Sequence, residues 1–299
     1  MKQLFSFLLV IALISACGGR STSPSESTKP VVLTSTTFLA DIAQNIAGDR
    51  VDVESLLPVG ADPHSYQATP QDVTKIADSK LLFINGAGYE YFLESLLENA
   101  GGEREVIEAS AGLHPRADVE SEQGGTDPHL WLDPNNVITY VENIREGLTH
   151  YDPEGAAVFQ SNAEAYIAQL TELDSWISEQ VSQIPPERRL LVTNHESLGY
   201  FAERYGFRVI GAVLPSASSD AAPSAEQMAR LIDQIKASGT PVIFLDEVEN
   251  LALARQIADE TDTKVVEDLH LESLTDGPPA GTYIDMIKHN ITRIVNALK

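Results

Sequence analysis

Three histidines lie at informative positions. Two of them follow a proline that restrains the backbone, and one follows an apolar run. Two of them end copies of one tripeptide, Asp62-Pro63-His64 and Asp127-Pro128-His129. Proline fixes its own φ and biases the residue before it towards extended geometry, so both imidazoles are carried on backbone with little freedom. The third, His195, follows the apolar residues 190–193. Repeated imidazoles on restrained backbone indicate ligands for a metal ion rather than ordinary surface histidines.

A carboxylate is the fourth candidate ligand. Glu272 follows the last predicted strand, residues 264–271, and the four candidates are so far apart along the chain that no two share a helical turn. They can meet only if separate parts of the fold face one cleft, unlike the two histidines of a His-Glu-x-x-His helix. Three imidazoles and one carboxylate suit Zn²⁺, which takes four nitrogen, oxygen or sulfur ligands in tetrahedral geometry.

The aspartates of the two tripeptides have a predicted role behind the ligands. Asp62 and Asp127 each lie two residues before a candidate ligand. A ligating histidine usually donates its second ring N–H to an acceptor. We therefore expect the two carboxylates to orient the imidazoles of His64 and His129.

The composition limits the classes of partner. The 299 residues are 43% hydrophobic, enough for one large or two medium domains with a real core. Lys and Arg number 20 against 44 Asp and Glu, which gives a formal net charge of −24. This charge disfavours nucleic acid and anionic membrane surfaces as partners and favours cations.

The first residues predict export and a lipid anchor. Residues 1–16 are typical of a signal peptide, since the apolar run 4–14 is too short to span a bilayer. The sequence Ile14-Ser15-Ala16-Cys17 resembles a bacterial lipobox, which implies a diacylglyceryl group on the Cys17 sulfur. Cys17 is the only cysteine, so an intramolecular disulfide and a cysteine-based zinc finger are excluded. Residues 17–30, rich in Ser, Thr, Gly and Pro, form a predicted flexible tether.

Strand and helix patterns alternate on both sides of one long helical pattern. Residues 31–152 and 186–299 each repeat a strand-then-helix order, which predicts two α/β lobes. Between them, residues 153–185 carry apolar side chains at helical spacing, enough for a helix of roughly 40 Å or more. We expect this helix to connect the lobes rigidly and the metal site to lie in the cleft between them.

Five motifs along the chain carry a resemblance to a known family. They are Val59-Gly60-Ala61-Asp62-Pro63-His64-Ser65-Tyr66, Asn85-Gly86-Ala87-Gly88-Tyr89-Glu90, Asp127-Pro128-His129-Leu130-Trp131-Leu132-Asp133-Pro134, His195-Glu196-Ser197-Leu198-Gly199-Tyr200-Phe201 and Gly281-Thr282-Tyr283-Ile284-Asp285-Met286. Together they resemble the zinc- and manganese-binding solute receptors of bacterial ABC transporters. The resemblance covers residues 31–299. It implies two α/β lobes bridged by a long helix, with one metal ion buried between them and handed to a membrane permease. Carried over by motif, His64, His129 and His195 are ligands, and the acidic residue that ends the last strand is the fourth.

The fourth ligand departs from the family pattern. Members usually place an aspartate at this strand end, and Glu272 fits the position best. Asp268 and His270 are the alternatives, because strand alternation would put all three side chains on one face. The long histidine-rich loop of some zinc-specific members is absent. The remaining histidines, His114, His150 and His289, are interpreted as ordinary surface residues, and Tyr66, Trp131 and Tyr200 as walls of the site.

The predicted function is capture of Zn²⁺, with Mn²⁺ as the alternative, by an exported, lipid-anchored monomer that delivers the ion to an ABC permease. The third imidazole favours zinc over manganese, which prefers oxygen-rich ligand sets. A surface adhesin would share the anchor and stays an alternative. A zinc hydrolase with Glu196 as base is disfavoured, because four protein ligands leave no open position for water.

Overall fold

The computed structural model describes residues 29–117, 125–214, 223–246 and 251–299. The predicted signal peptide, Cys17 and nearly all of the tether lie outside these ranges. The strands are β1 (Val31–Thr34), β2 (Asp52–Ser55), β3 (Leu81–Ile84), β4 (Glu105–Glu108), β5 (Leu190–Thr193), β6 (Arg208–Ala212), β7 (Val242–Phe244) and β8 (Lys264–Val266). The helices are α1 (Thr37–Ala47), α2 (Pro70–Asp78), α3 (Leu93–Ala100), α4 (Pro134–Tyr151), α5 (Ala156–Ser182), α6 (Gly199–Tyr205), α7 (Ala225–Ser238), α8 (Leu251–Thr261) and α9 (Tyr283–Leu298). The fold is α/β, as predicted.

The first half is built on a four-stranded parallel sheet. Its strand order is β2-β1-β3-β4. The apolar runs of β1 and β3 are buried as central strands of a parallel sheet should be. The loops that leave the carboxyl ends of parallel strands share one edge of the sheet, where ligands bind in α/β folds. The loop that carries His64 follows β2 at this edge.

The second half contains two parallel strand pairs, β5 with β6 and β7 with β8. One prediction is wrong here, because the strand expected over residues 264–271 ends at Val266. Asp268 has a φ of +74°, which extended backbone does not tolerate. Further on, the side-chain amide of Asn290 accepts from the backbone nitrogen of His270 at 2.8 Å and donates to its carbonyl at 2.6 Å. Glu272 is therefore carried by an irregular segment, and the alternation argument does not apply to it.

The long helix is present as predicted. A turn of 3-10 helix at Pro153–Gly155 leads into α5, whose 27 residues span roughly 40 Å. It packs against α1 and α4 of the first half and against α9 at the end of the chain. One hydrophobic core includes buried residues from all four helices, so the position of one half against the other is fixed by shared packing. None of the helices within the described ranges is both long and apolar enough to cross a membrane.

The segment 271–283 lies late in the chain but is bonded to the first half. Trp131 Nε1 donates to the carbonyl of Leu271 at 2.8 Å, and the backbone nitrogen of Gly60 donates to the Ser273 hydroxyl at 2.8 Å. At its far end, Tyr283 donates its hydroxyl to the carbonyl of Trp131 at 2.6 Å. This segment contains Glu272, so the fourth candidate ligand is held by residues of the first half.

Candidate metal centre

The structure brings the four predicted ligands together. One donor atom from each of His64, His129, His195 and Glu272 lies within 4.8 Å of the other three. Nε2 of His195 is 3.3 Å from Nε2 of His129, and each of these nitrogens is 3.2 Å from Oε1 of Glu272. Nε2 of His64 is 3.7 Å from the same oxygen, and all four side chains are at most 4% exposed.

Four of the six separations between the donor atoms are 3.2–3.7 Å, and they suit a tetrahedral ligand set. An ion that binds nitrogen and oxygen donors at about 2.0–2.1 Å in a tetrahedron holds those donors about 3.3 Å apart. Three of the measured edges match this separation, and the fourth is only slightly longer. Asp268 and His270, the alternative fourth ligands, lie in a different cluster with His289. The arrangement fits one divalent transition-metal ion.

Asp127 contacts Nδ1 of His129, the ring nitrogen that does not face the other candidate ligands. Its Oδ1 lies 2.8 Å from Nδ1 of the imidazole and also accepts from the backbone nitrogen of His129 at 3.0 Å. This bond directs Nε2 into the cluster. Tyr200, expected to wall the site, supports this unit instead by donating to the carbonyl of Asp127 at 2.7 Å. Trp131 packs its ring against His129, with ring centroids 5.3 Å apart.

Asp62 shapes the loop that carries His64. Oδ1 accepts from the backbone nitrogen of His64 at 2.8 Å, and Oδ2 accepts from the Ser65 hydroxyl at 2.6 Å. Its influence on the His64 ring stays a prediction. Tyr66 donates its hydroxyl to Asp72 at 2.8 Å, and its ring packs against Phe92.

Two supporting residues were not found from the sequence. Asp246 directly follows the last apolar residue after β7, is 2% exposed, and places Oδ2 3.4 Å from Nδ1 of His195. Tyr89 donates its hydroxyl to Oε2 of Glu272 at 2.6 Å. The signal for Asp246 was its position, as the first polar residue at the carboxyl end of a buried strand. Tyr89 stood inside a quoted motif, but nothing local indicated what it contacts.

The model of the family described as zinc-uptake complex component A, periplasmic, matches residues 32–297. The chain belongs to this zinc-uptake component A family. Membership makes it the substrate-binding component of a metal transporter rather than an enzyme, as predicted. Glu196, considered above as a hydrolase base, lines a separate surface cavity beside Arg116 and Glu203.

Relatives of known name are similar over nearly the whole chain. The manganese-binding lipoprotein MntA of Halalkalibacterium halodurans is 36% identical over 301 residues, covering 99% of each chain. The iron-binding protein YfeA of Yersinia pestis is 34% identical over 294 residues, covering 97% of this chain and 94% of its own. These family relatives are named for different metals.

Two solved structures are similar in fold as well as in sequence. The manganese-bound periplasmic metal-binding protein of Candidatus Liberibacter asiaticus superposes with a TM-score of 0.82 at 32% identity, over 91% of this chain and all of its own. The periplasmic zinc-binding protein TroA of Treponema pallidum superposes with a TM-score of 0.83 at 30% identity, over 91% of this chain and 99% of its own. The fold of the zinc-uptake component A family is therefore shared across proteins named for different ions.

The charged groups around the four candidate ligands favour the presence of a positive charge, either a proton or a metal ion, at this site. Burial alone would raise the pKa of the Glu272 carboxyl, but His129 and the other two imidazoles hold it well below its usual range. Burial opposes the charged form of His129, but the Glu272 and Asp127 carboxylates outweigh it and raise its pKa to about 10. The pKa of His195 is also raised, since Asp246 and Glu272 outweigh its burial. Without a metal ion the cluster therefore holds a proton, which an incoming cation must replace.

Replacing Asp127 by Asn should weaken zinc binding about 10- to 100-fold, the usual cost of disturbing a residue that orients a ligating imidazole. The carboxylate that bonds Nδ1 of His129 becomes a neutral amide in this variant. Asp62→Asn is the matched comparison, because it changes the other Asp-Pro-His aspartate. Competition with a chromophoric chelator measures both affinities. An Asp127→Asn loss no larger than that of Asp62→Asn would contradict the orienting role.

Proposed function

We propose that this chain captures one divalent transition-metal ion outside the cytoplasmic membrane through His64, His129, His195 and Glu272, and delivers it to an ABC permease. The observation that carries the proposal is the convergence of four buried donors, spaced 3.2–3.3 Å along three edges, from four separate parts of the sequence. Export and membrane anchoring agree with the relatives, several of which are named as metal-transporter lipoproteins.

Zinc is the proposed cargo, with manganese as the alternative. Three nitrogen donors favour Zn²⁺, whereas Mn²⁺ prefers octahedral, oxygen-rich sets. The hydroxyl of Tyr89 occupies Oε2 of Glu272 at 2.6 Å, which leaves Oε1 as the oxygen that faces the imidazoles. A glutamate that binds through one oxygen gives four ligands in all, the number that a zinc site takes.

The choice of metal is tested in cells, because the Irving–Williams order makes nearly any such site bind Zn²⁺ more tightly than Mn²⁺ in vitro. A strain that lacks this protein should grow poorly in the presence of a zinc chelator and recover when Zn²⁺ is added. The control is the same strain carrying the intact gene. Recovery with Mn²⁺ but not with Zn²⁺ would show that manganese is the cargo. If cells that lack this protein instead lose their attachment to surfaces while their metal uptake is unchanged, the adhesin alternative would be favoured.

The anchor is proposed to be a lipid on Cys17. Cys17→Ser removes the only thiol, so the protein should leave the membrane fraction or accumulate unprocessed. Cell fractionation followed by immunoblotting measures this, and Ser15→Ala is a control that keeps a small residue within the predicted cleavage site. A Cys17→Ser protein that stays in the membrane fraction at the level of the unchanged protein would rule out this anchor.

A further inference from the structure

A second cluster of metal-binding side chains lies where the segment after β8 meets α9. Asp268, His270 and His289 each offer one donor atom within 4.8 Å of the others. Nε2 of His270 is 3.4 Å from Oδ1 of Asp268, and Nε2 of His289 is 3.5 Å from Oδ2 of the same carboxylate. The two imidazole rings lie side by side, with centroids 5.4 Å apart. Two imidazoles and a carboxylate at these distances are a partial ligand set for a divalent ion.

The backbone around this cluster is held in place. Asp268 adopts left-handed geometry with a φ of +74°, which an aspartate tolerates better than most residues. The side-chain amide of Asn290 bonds both the nitrogen and the carbonyl of His270, and Arg293 donates to the carbonyl of Glu267 at 2.8 Å. His289 lies on α9 beside Asn290. The backbone that carries Asp268 and His270 is therefore fixed against the helix that carries His289, so the three side chains stay close together.

One ring nitrogen in the cluster lacks the bond that a buried polar atom normally makes. Nε2 of His270 is buried and makes no well-aligned hydrogen bond among the described residues, although Oδ1 of Asp268 lies 3.4 Å away. Buried polar atoms are almost always bonded, and an unbonded one needs an explanation such as an ion. Nε2 of His289, by contrast, lies 2.7 Å from the carbonyl of Asp268, and because a carbonyl only accepts, this nitrogen carries a proton. Binding an ion through this nitrogen requires the His289 imidazole to release that proton and to turn away from the carbonyl.

The cluster is separate from the proposed cargo site. His270 precedes Glu272 by only two residues, but the His270 side chain is 15% exposed and faces His289, whereas the Glu272 side chain is fully buried among the other three histidines. Nothing in the cluster is shared with the first site. Asp268, at 56% side-chain exposure, opens the cluster to solvent.

We propose that Asp268, His270 and His289 form a second, weaker site for a divalent transition-metal ion of the Zn²⁺, Cu²⁺ or Ni²⁺ class, with water completing its coordination. Imidazole donors select these ions over Mg²⁺ and Ca²⁺. Binding is weaker than at the first site because three protein donors replace four and one of them is exposed. An ion here ties α9 to the segment that leads into Glu272.

The experiment is a zinc titration of the full-length protein by native mass spectrometry and calorimetry. We expect two ions, one bound tightly and one weakly. His289→Ala should lose the weak ion and keep the tight one, and His129→Ala should do the reverse, so failure of one site is distinguishable from failure of the other. His150→Ala is the matched control, because His150 pairs with Glu105 at 2.9 Å on the surface, outside both clusters, and should leave both ions bound.

Asp268→Asn provides a second variant, in which the carboxylate donor becomes an amide without loss of size. It should weaken the second ion at least tenfold while the tight affinity is unchanged. Binding of a single ion by the unaltered protein, retention of both ions by His289→Ala and Asp268→Asn, or loss of the weak ion in His150→Ala would each overturn the proposal.

Discussion

Replacing His129 by alanine should weaken zinc binding about a hundred- to a thousandfold. A four-ligand zinc site contributes about 10–16 kcal/mol, so an equal share per ligand is roughly 2.5–4 kcal/mol. The variant also leaves Glu272 buried without one of the two imidazole nitrogens that lie 3.2 Å from its Oε1. Competition titration against a chelator of known affinity gives the measurement.

His150→Ala is the control for this variant, because its imidazole is 75% exposed and bonds only Glu105 among the residues that the structure describes. Its affinity should equal that of the unaltered protein. An unchanged affinity and a retained tight site in His129→Ala would remove His129 from the ligand set.

The affinity for zinc should keep rising with pH well above the range in which a free imidazole titrates. An ordinary imidazole has a pKa near 6.5, so its competition with the metal would end by about pH 7.5. The pKa of His129 is raised to about 10 despite its burial, because Glu272 and Asp127 stabilise its charged form. Below that value the imidazolium is present and the ion must displace its proton. We expect about a tenfold gain in affinity per pH unit for each proton released between pH 6.5 and 8.5.

Calorimetry in two buffers of different ionisation enthalpy counts the released protons directly. At least one proton should be released per zinc ion at pH 7.5, and His129→Ala should release fewer. A flat affinity above pH 7.5 together with no proton release would show that His129 is already neutral before the metal binds.

The three histidines could be predicted because their signals are local. The two Asp-Pro-His tripeptides restrain their own backbone, and His195 stands just past a buried strand. The structure brings all three together with Glu272. The alternation of strands and helices and the pattern of the long helix are also local, and the α/β fold and α5 followed from them.

The support for Glu272 could not be predicted because it depends on distant residues. The strand before it stops at Val266, and a side chain from α9, Asn290, fixes the irregular course of the segment that follows. Tyr89, which bonds its carboxylate, stands 183 residues away in sequence. No local pattern shows such a pairing. The same holds for the second cluster, since His289 looked like an ordinary surface residue until α9 brought it beside Asp268.

The docking of segment 271–283 onto the first half bears on how quickly an ion leaves. His64, His129 and, through that docking, Glu272 are held on the first half, while His195 follows β5 of the second half, close to Tyr200, which bonds the carbonyl of Asp127. A chelated ion dissociates by losing its donors one after another. We expect His195 to withdraw first, leaving the ion in a three-coordinate intermediate on the first half. We therefore expect the rate at which the ion is released to depend on the movement of a single imidazole rather than on separation of the two halves.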